Sequence, residues 1–221
     1  MRHVPDVRPE DAIPDLLHRL RNPMAALKSG ISLVMHVARP SGEARDLLDQ
    51  MVGEVGRLDA TTRETQRYFR LSAGRPAKVR VADAARDAAA AVRDAAAHAG
   101  VEIVVGRGGD EEVVIDHDQF LFSLTELLAN ACRHSPPGGT VRVSWRRTRK
   151  GPLAVDVVDS GAGVPAAHSD RIGAPYFTTS PERTGLGVAT VAKICTLAGG
   201  SLRWGNLAGG GCRFSMELPI G

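Results

Sequence analysis

The sequence is poor in cysteine and lacks long apolar runs. Its three cysteines, Cys132, Cys195 and Cys212, form no Cys-x-x-Cys pair, and an odd number at this spacing fits neither a disulfide scaffold nor a zinc site. No stretch approaches the ~18–20 consecutive apolar residues of a membrane helix, and the N-terminus carries charges and prolines where a signal peptide has its apolar core. We therefore predict a soluble, cytoplasmic protein without membrane association.

A strong excess of one charge is also missing. The 28 lysines and arginines face 25 acidic residues, and the two kinds are interspersed, which gives no prediction of direct nucleic-acid binding. The longest basic cluster lies around a predicted β-hairpin, and we interpret it as solvated surface; it comprises Arg142, Arg146, Arg147, Arg149 and Lys150.

Glycine is sparse before residue 72 and frequent after it. The segment Ser72-Ala73-Gly74-Arg75-Pro76 interrupts a continuing helix. We predict a helical domain over residues 1–72, a linker over 73–78 and a second domain over 79–221.

Within the first domain, apolar residues recur at helical spacing in two runs, separated by a break at residues 39–42. The runs are Ile13, Leu17, Leu20, Met24, Leu27, Ile31 and Val34, then Leu47, Met51, Val55 and Leu58. Two such helices cannot bury both apolar stripes against each other, so we expect a homodimer that forms a four-helix bundle. Docking of the hairpin on the second domain is the alternative.

Three motifs in the second domain predict a nucleotide pocket by their order. Asp159 closes the apolar, β-rich run 153–158, and Gly161 and Gly163 follow it, so the chain can turn and approach a ligand closely. Such a motif alone is also typical of a plain turn. It is preceded by a helical segment with Glu126, Asn130, Arg133 and His134, and followed by Gly185-Leu186-Gly187.

The helical segment has the chemistry of a phosphate and magnesium site. Asp116 is a plausible N-cap, and Glu126 and Asn130, four residues apart, share one face. The Asn130 amide oxygen could ligate Mg²⁺ and Glu126 could orient a water molecule. Arg133 and His134, one turn further on, could donate hydrogen bonds to phosphate oxygens.

The second glycine motif enters a helix that we predict over residues 188–197. Backbone N–H groups at a helix N-terminus can bind a triphosphate, and Gly185 and Gly187 bring no side chain that would block its approach.

With the segment His18-Arg19-Leu20-Arg21-Asn22-Pro23, these motifs resemble the bacterial two-component sensor histidine kinases over nearly the whole chain. The matching segments are the phosphoacceptor segment (18–23), the asparagine box (126–135), the first glycine box (159–163), the aromatic box (175–179) and the second glycine box (184–187). The resemblance implies an α+β fold: a dimerising N-terminal helical hairpin, then a C-terminal α/β sandwich of the Bergerat (GHKL) type.

The same resemblance implies a function. The γ-phosphoryl group of ATP would pass, with Mg²⁺, to a neutral His18 imidazole, and from there to an aspartate of a response-regulator receiver domain. Asn22 would position water for dephosphorylation of that partner, and Asp159 would read adenine. Only six residues separate Phe177 from Thr184, which implies a short ATP lid, as in the nitrogen-regulatory branch.

Arg19 departs from the family pattern, because most members with a proline at this position carry an acidic residue after the histidine as general base. Its loss could lower the rate by on the order of 10²- to 10⁴-fold. A phosphotransfer adaptor or phosphatase of the same fold is therefore an open alternative. A serine kinase of the anti-sigma-factor class and a non-catalytic dimerisation module are less favoured. Too few residues precede residue 9 to fold a sensor domain, so we expect input from a separate sensory protein, a relay role or a truncated chain.

Overall fold

The computed structural model describes residues 9–106, 109–148, 151–180 and 183–220. The chain divides into two units. One unit holds the residues up to Arg70 together with Thr178–Leu186, and the other holds Leu71–Phe177 and Gly187–Gly221.

The first unit is a helical hairpin of α1 (Pro9–Ala38) and α2 (Glu43–Arg70). Helix α1 continues through Pro14 and Pro23. The turn that joins the helices has positive φ angles of 44° at Arg39 and 59° at Gly42, a conformation that glycine adopts without strain. The break predicted at residues 39–42 is confirmed.

The hairpin buries only part of its predicted apolar stripe. Ile31 and Val55 are buried, and the Arg21 Nε atom lies 3.4 Å from an Asp59 carboxylate oxygen of the other helix. Six residues of the stripe are between 44% and 59% exposed: Leu20, Leu27, Val34, Leu47, Met51 and Leu58. One hairpin alone therefore leaves a row of large apolar side chains in water, as the dimer prediction requires.

The described part of the second unit contains two sheets, four α-helices and a short 3-10 helix at Ala166–Arg171. The antiparallel pair consists of β1 (Ala77–Arg80) and β3 (Glu112–Ile115). The larger sheet has the order β2 (Glu102–Val105), β4 (Thr140–Arg147), β5 (Leu153–Val158), β7 (Cys212–Leu218) and β6 (Ser201–Asn206). Strands β2 and β4 are parallel, and the other neighbours are antiparallel. The α-helices are α3 (Val81–Ala91), α4 (Arg93–Ala99), α5 (His117–His134) and α6 (Gly187–Leu197). The predicted linker thus runs into β1.

The hydrophobic core lies between the helices and one face of the larger sheet. Alternation along β4 shows this arrangement, because Val141, Val143 and Trp145 are buried while Arg142 and Arg146 are exposed. The core includes the apolar face of α5, with Phe120, Leu124, Leu127 and Leu128 almost fully buried. The sandwich has one layer of helices, and the other face of the sheet carries polar side chains.

All three cysteines are free thiols in buried positions. Burial raises the pKa of Cys195 to about 12 and that of Cys212 to about 11, and it also raises the pKa of Cys132. Within the described ranges, no helix has the length and apolarity needed to cross a lipid bilayer.

Candidate nucleotide site

Helix α5 begins with the side-chain cap that the sequence predicted. Asp116 accepts a hydrogen bond from the Gln119 backbone N–H at 3.1 Å and another from the Arg75 N–H at 2.8 Å. These bonds, the one from Arg75 first, lower the pKa of Asp116 because they stabilise its charged form. The cap fixes where the helix starts and so which residues of α5 share its polar face.

That polar face brings the predicted helix residues together. Glu126 and Asn130 are half-buried, and Arg133 and His134 are exposed at the last turn. The Arg133 Nη1 atom donates to the Asn130 amide oxygen at 3.3 Å. The predicted magnesium ligand thus points its oxygen toward the same side as the guanidinium, where a phosphate could meet both groups.

Gly187 lies directly against Glu126. A Cβ atom at position 187 would stand 2.5 Å from the Glu126 Oε2 atom, which is closer than any ordinary contact. Gly187 is also the first residue of α6, one residue earlier than predicted. Because the first N–H groups of a helix have no partner within the helix, this end of α6 offers donors beside the Glu126 carboxylate.

Asp159 is a buried carboxylate with one oxygen held by the backbone. Its Oδ1 atom accepts from the Gly161 N–H at 2.8 Å and from the Cys212 N–H at 3.0 Å. Its Oδ2 atom has no hydrogen-bond partner among the residues that the structure describes. A carboxylate held in this way presents one oriented acceptor, which suits a ligand's amino group.

The sandwich thus combines one oriented acceptor with a cluster of donors and close-approach glycines. A ligand with an amino group at one end and anionic oxygens at the other matches this set, as a purine nucleotide does. No group of three or more His, Cys, Asp or Glu side chains that could hold a metal lies in the described ranges.

Comparison with known proteins agrees with this interpretation. Residues 115–221 match the family model described as "Histidine kinase-, DNA gyrase B-, and HSP90-like ATPase". The matched stretch contains the residues of the predicted nucleotide pocket, from Glu126 to Gly187.

Relatives match over a longer stretch. The sensor histidine kinase ZraS of Escherichia coli O157:H7 is 28% identical over 204 residues, which is 92% of this chain and 44% of ZraS. The chain thus spans less than half the length of this relative. The predicted resemblance to bacterial two-component histidine kinases is confirmed, and its short-lid branch stays a prediction.

Two solved structures show the same fold. The crystal structure of full-length ShkA in complex with AMPPNP covers 97% of this chain and 46% of ShkA, with a TM-score of 0.80 at 22% identity. The structure of the mycobacterial sensor histidine kinase MprB aligns with 66% of this chain, and the alignment includes 97% of the MprB chain, with a TM-score of 0.58 at 25% identity. The prediction of a helical hairpin followed by a Bergerat-type sandwich is confirmed.

Two serine residues connect the loop after Asp159 with strand β4 and with the last turn of α5. The Ser160 Oγ atom donates to the Thr140 carbonyl at 2.6 Å, and the Ser160 N–H donates to the Ser135 Oγ atom at 3.3 Å. Ser135 in turn donates to the Ala131 carbonyl at 2.9 Å. The residue after Asp159 is thereby tied to the last turn of α5.

The glycines of the first box allow this close approach. A Cβ atom at Gly161 would collide with the His134 carbonyl oxygen. Gly163 has a φ of +78°, and a Cβ there would lie 2.8 Å from the Asn206 Oδ1 atom. Asn206 holds the following turn, because it accepts from the Val164 N–H and donates to the Val164 carbonyl, both at 2.8 Å.

The site also affects the protonation of His134. Shielding from water by neighbouring groups lowers the pKa of this imidazole, and the Arg133 guanidinium lowers it further, while the Asp159 carboxylate opposes both effects. The neutral form is therefore favoured at neutral pH, and a neutral imidazole donates one hydrogen bond.

Four predicted site residues belong to the other unit. His18 and Asn22 are exposed on α1. Gly185, with a φ of +72°, and the buried Leu186 belong to the segment 178–186, which groups with the hairpin.

Within that segment a threonine hydroxyl holds the turn before α6. The Thr184 Oγ1 atom accepts from the Leu186 N–H at 3.2 Å, and the same hydroxyl donates to the Glu64 carboxylate. The lid residues Pro181 and Glu182 lie outside the described ranges.

Four further residues shape the site, and none of them was predicted from the sequence. Ser135 and Ser160 lie inside the matched boxes but were not given a role, and Asn206 and Cys212 lie outside them. For Cys212 only the backbone N–H acts, so its side chain carries no signal for this role.

Proposed function

We propose that this chain is the catalytic core of an ATP-dependent protein histidine kinase, which autophosphorylates His18 and passes the phosphoryl group to an aspartate of a response-regulator receiver domain. The observation that carries the proposal is the Asp159 carboxylate, with Oδ1 bound to two backbone N–H groups and Oδ2 available. This acceptor suits the amino group of adenine.

The other residues of the domain have roles along the nucleotide. Arg133 and His134 donate to phosphate oxygens, and the glycines Gly161, Gly163, Gly185 and Gly187, with Leu186, line the approach of the ligand. Asn130 would hold Mg²⁺, which would offset charge on the phosphates when bound. Glu126, next to Gly187, orients a water molecule.

The reaction needs a neutral His18. A ring nitrogen with a lone pair forms a bond to the γ-phosphorus of ATP as the bond from that phosphorus to the β–γ bridging oxygen breaks. ADP leaves, and the proton on the other ring nitrogen passes to water. Arg133 offsets charge that develops on the transferred group. In the reverse direction, Asn22, one turn after His18, positions a water molecule that dephosphorylates the partner.

The exposed apolar stripe of the hairpin supports a homodimer, because a second hairpin would cover those side chains in a four-helix bundle. We also propose domain limits of 1–72 and 79–221, a short nitrogen-regulatory-type lid and a cytoplasmic location.

The experiment is incubation of the chain with γ-labelled ATP and Mg²⁺, compared with His18→Ala and with His36→Ala as a control on the same helix. We expect protein-bound label that is acid-labile and alkali-stable, lost in His18→Ala and retained in His36→Ala. Label that persists in His18→Ala would refute the assignment.

An absence of label despite measurable ATP binding would favour the adaptor or phosphatase. We would then attribute the lack of autophosphorylation to Arg19, which replaces the acidic general base. The variant Arg19→Glu places an acidic residue after the histidine and would gain autophosphorylation if the missing base is the cause.

A further inference from the structure

The polar face of the five-stranded sheet carries arginines that the nucleotide site does not use. Arg142 lies on β4 and Arg213 on β7, and both pair in register with Val158 on the strand between them. Their Cα atoms are therefore about 10 Å apart, twice the usual strand spacing. Both side chains are exposed. We call Arg142, Ser144, Val158, Arg213 and Ser215 the basic sheet face.

The charges on this side of the sheet are not all compensated. Arg146 lies 3.7 Å from the Asp156 carboxylate, and Arg203 lies 3.0 Å from Glu217. Among the described residues, the side chains of Arg142 and Arg213 have no ion-pair or hydrogen-bond partner. Two positive charges therefore remain in one row of the sheet.

Hydroxyl donors lie in the next row. Ser144 and Ser215 pair in register with Asp156 from its two sides, and neither hydroxyl has a partner in the part of the chain that the structure describes. Asp156 itself is 5% exposed, and its Oδ1 atom is buried without a hydrogen-bond partner. This row therefore offers two hydroxyl donors, one on each side of a buried carboxylate.

The chemistry of the face favours a protein over a nucleic acid or a lipid surface. Guanidinium groups bind carboxylates through paired hydrogen bonds. Asp156 and Glu217 lie one and two rows away from the two arginines, so the uncompensated positive charge is confined to a short patch and does not form the extended track that a phosphate backbone follows. Val158, half-buried between the two arginines, adds an apolar contact.

We propose that the basic sheet face is a docking surface for an acidic segment of a partner protein, whose carboxylates pair with Arg142 and Arg213. This surface lies on the side of the sheet opposite the core and is separate from the residues assigned to ATP.

The test uses a fluorescent, glutamate-rich helical peptide and its glutamine counterpart, titrated with the chain in the absence of nucleotide. Fluorescence anisotropy would be recorded at low and at high salt. The test variant is Arg142→Ser with Arg213→Ser. The control, Arg93→Ser with Arg147→Ser, removes the same charge from exposed positions of the same unit. Circular dichroism and thermal unfolding would establish that both variants fold.

We expect the glutamate peptide to bind more tightly than the glutamine peptide, and its affinity to fall at least ~10-fold in the test variant and less than ~2-fold in the control. Absence of binding, or an equal loss in both variants, would overturn the proposal. Tighter binding of single-stranded DNA or phosphatidylglycerol vesicles that also depends on Arg142 and Arg213 would overturn it too. Because no nucleotide is present, the result does not depend on the kinase assignment.

Discussion

Replacement of Asp159 by asparagine would separate nucleotide recognition from folding. Oδ1 of this residue accepts from the Gly161 and Cys212 N–H groups. In Asp159→Asn the amide oxygen must take that position, because the amide nitrogen would face two donors. The NH₂ group then stands where Oδ2 was, and a donor would face the amino group of adenine.

The magnitude follows from the lost interaction. A hydrogen bond to a charged acceptor contributes about 1.5–3 kcal/mol, which corresponds to roughly 10- to 100-fold in Kd for ATP. The free energy of unfolding should change little, since the two backbone bonds remain. Asp159→Ala, by contrast, leaves both N–H groups without an acceptor, at about 1–3 kcal/mol for each group, and should lower the free energy of unfolding by about 2–6 kcal/mol.

Calorimetric titration with ATP and GTP measures this directly. Guanine carries a carbonyl oxygen where adenine carries its amino group, so the amide introduced by Asp159→Asn can donate to GTP, and the preference for ATP should fall or reverse. The control Asp170→Asn, at an exposed position, should leave both affinities unchanged. An unchanged ratio of ATP to GTP affinity in Asp159→Asn would refute the assignment of this carboxylate to adenine.

Three further predictions concern the site and the core. In Gly187→Ala the new methyl group displaces the Glu126 carboxylate, so ATP turnover should fall about 10-fold with little loss of stability. The control is Gly205→Ala, where a Cβ meets nothing within 4 Å; it should leave ATP turnover unchanged. Ser160→Ala removes the donor to the Thr140 carbonyl and should lower the free energy of unfolding, measured by urea titration, by about 1–2 kcal/mol. Ser160→Thr keeps a hydroxyl at this position and should retain most of the wild-type stability. The raised pKa values of the buried cysteine thiols keep them protonated at pH 8, so a thiol reagent should label the folded chain slowly and the urea-unfolded chain at once; fast labelling of folded protein would contradict the buried core.

Local sequence signals predicted the elements that carry the site. The cap at Asp116, the polar face of α5 and the break at residues 39–42 all follow from interactions within a few residues, and each is observed. The family resemblance supplied the order of the two domains. The start of α6 was off by one residue, because Gly187 itself joins the helix that its close approach to Glu126 makes possible.

The contacts that hold the site could not be predicted in the same way. The Cys212 N–H donates to Asp159, which lies 53 residues earlier in the chain. The Asn206 side chain accepts a hydrogen bond from the Val164 N–H, 42 residues earlier. Both contacts arise because β5, β6 and β7 are neighbours, and strand order is a property of the whole sheet. A backbone N–H belongs to nearly every residue type, so no sequence pattern marks the one that orients the carboxylate.

The same limit explains the basic cluster near residues 142–150. Taken along the chain, its members are consecutive charges near a turn, and a solvated hairpin accounts for them. The pleat of β4 separates Arg142 from Arg147, whose side chains leave the strand on opposite faces. The antiparallel register with β5 and β7 then places Arg142 in one row with Arg213, a residue that the cluster did not contain. Strand pairing therefore decides which charged side chains form one surface. The residues that a partner would contact are those in one row across the sheet, because consecutive residues along a strand point to opposite faces.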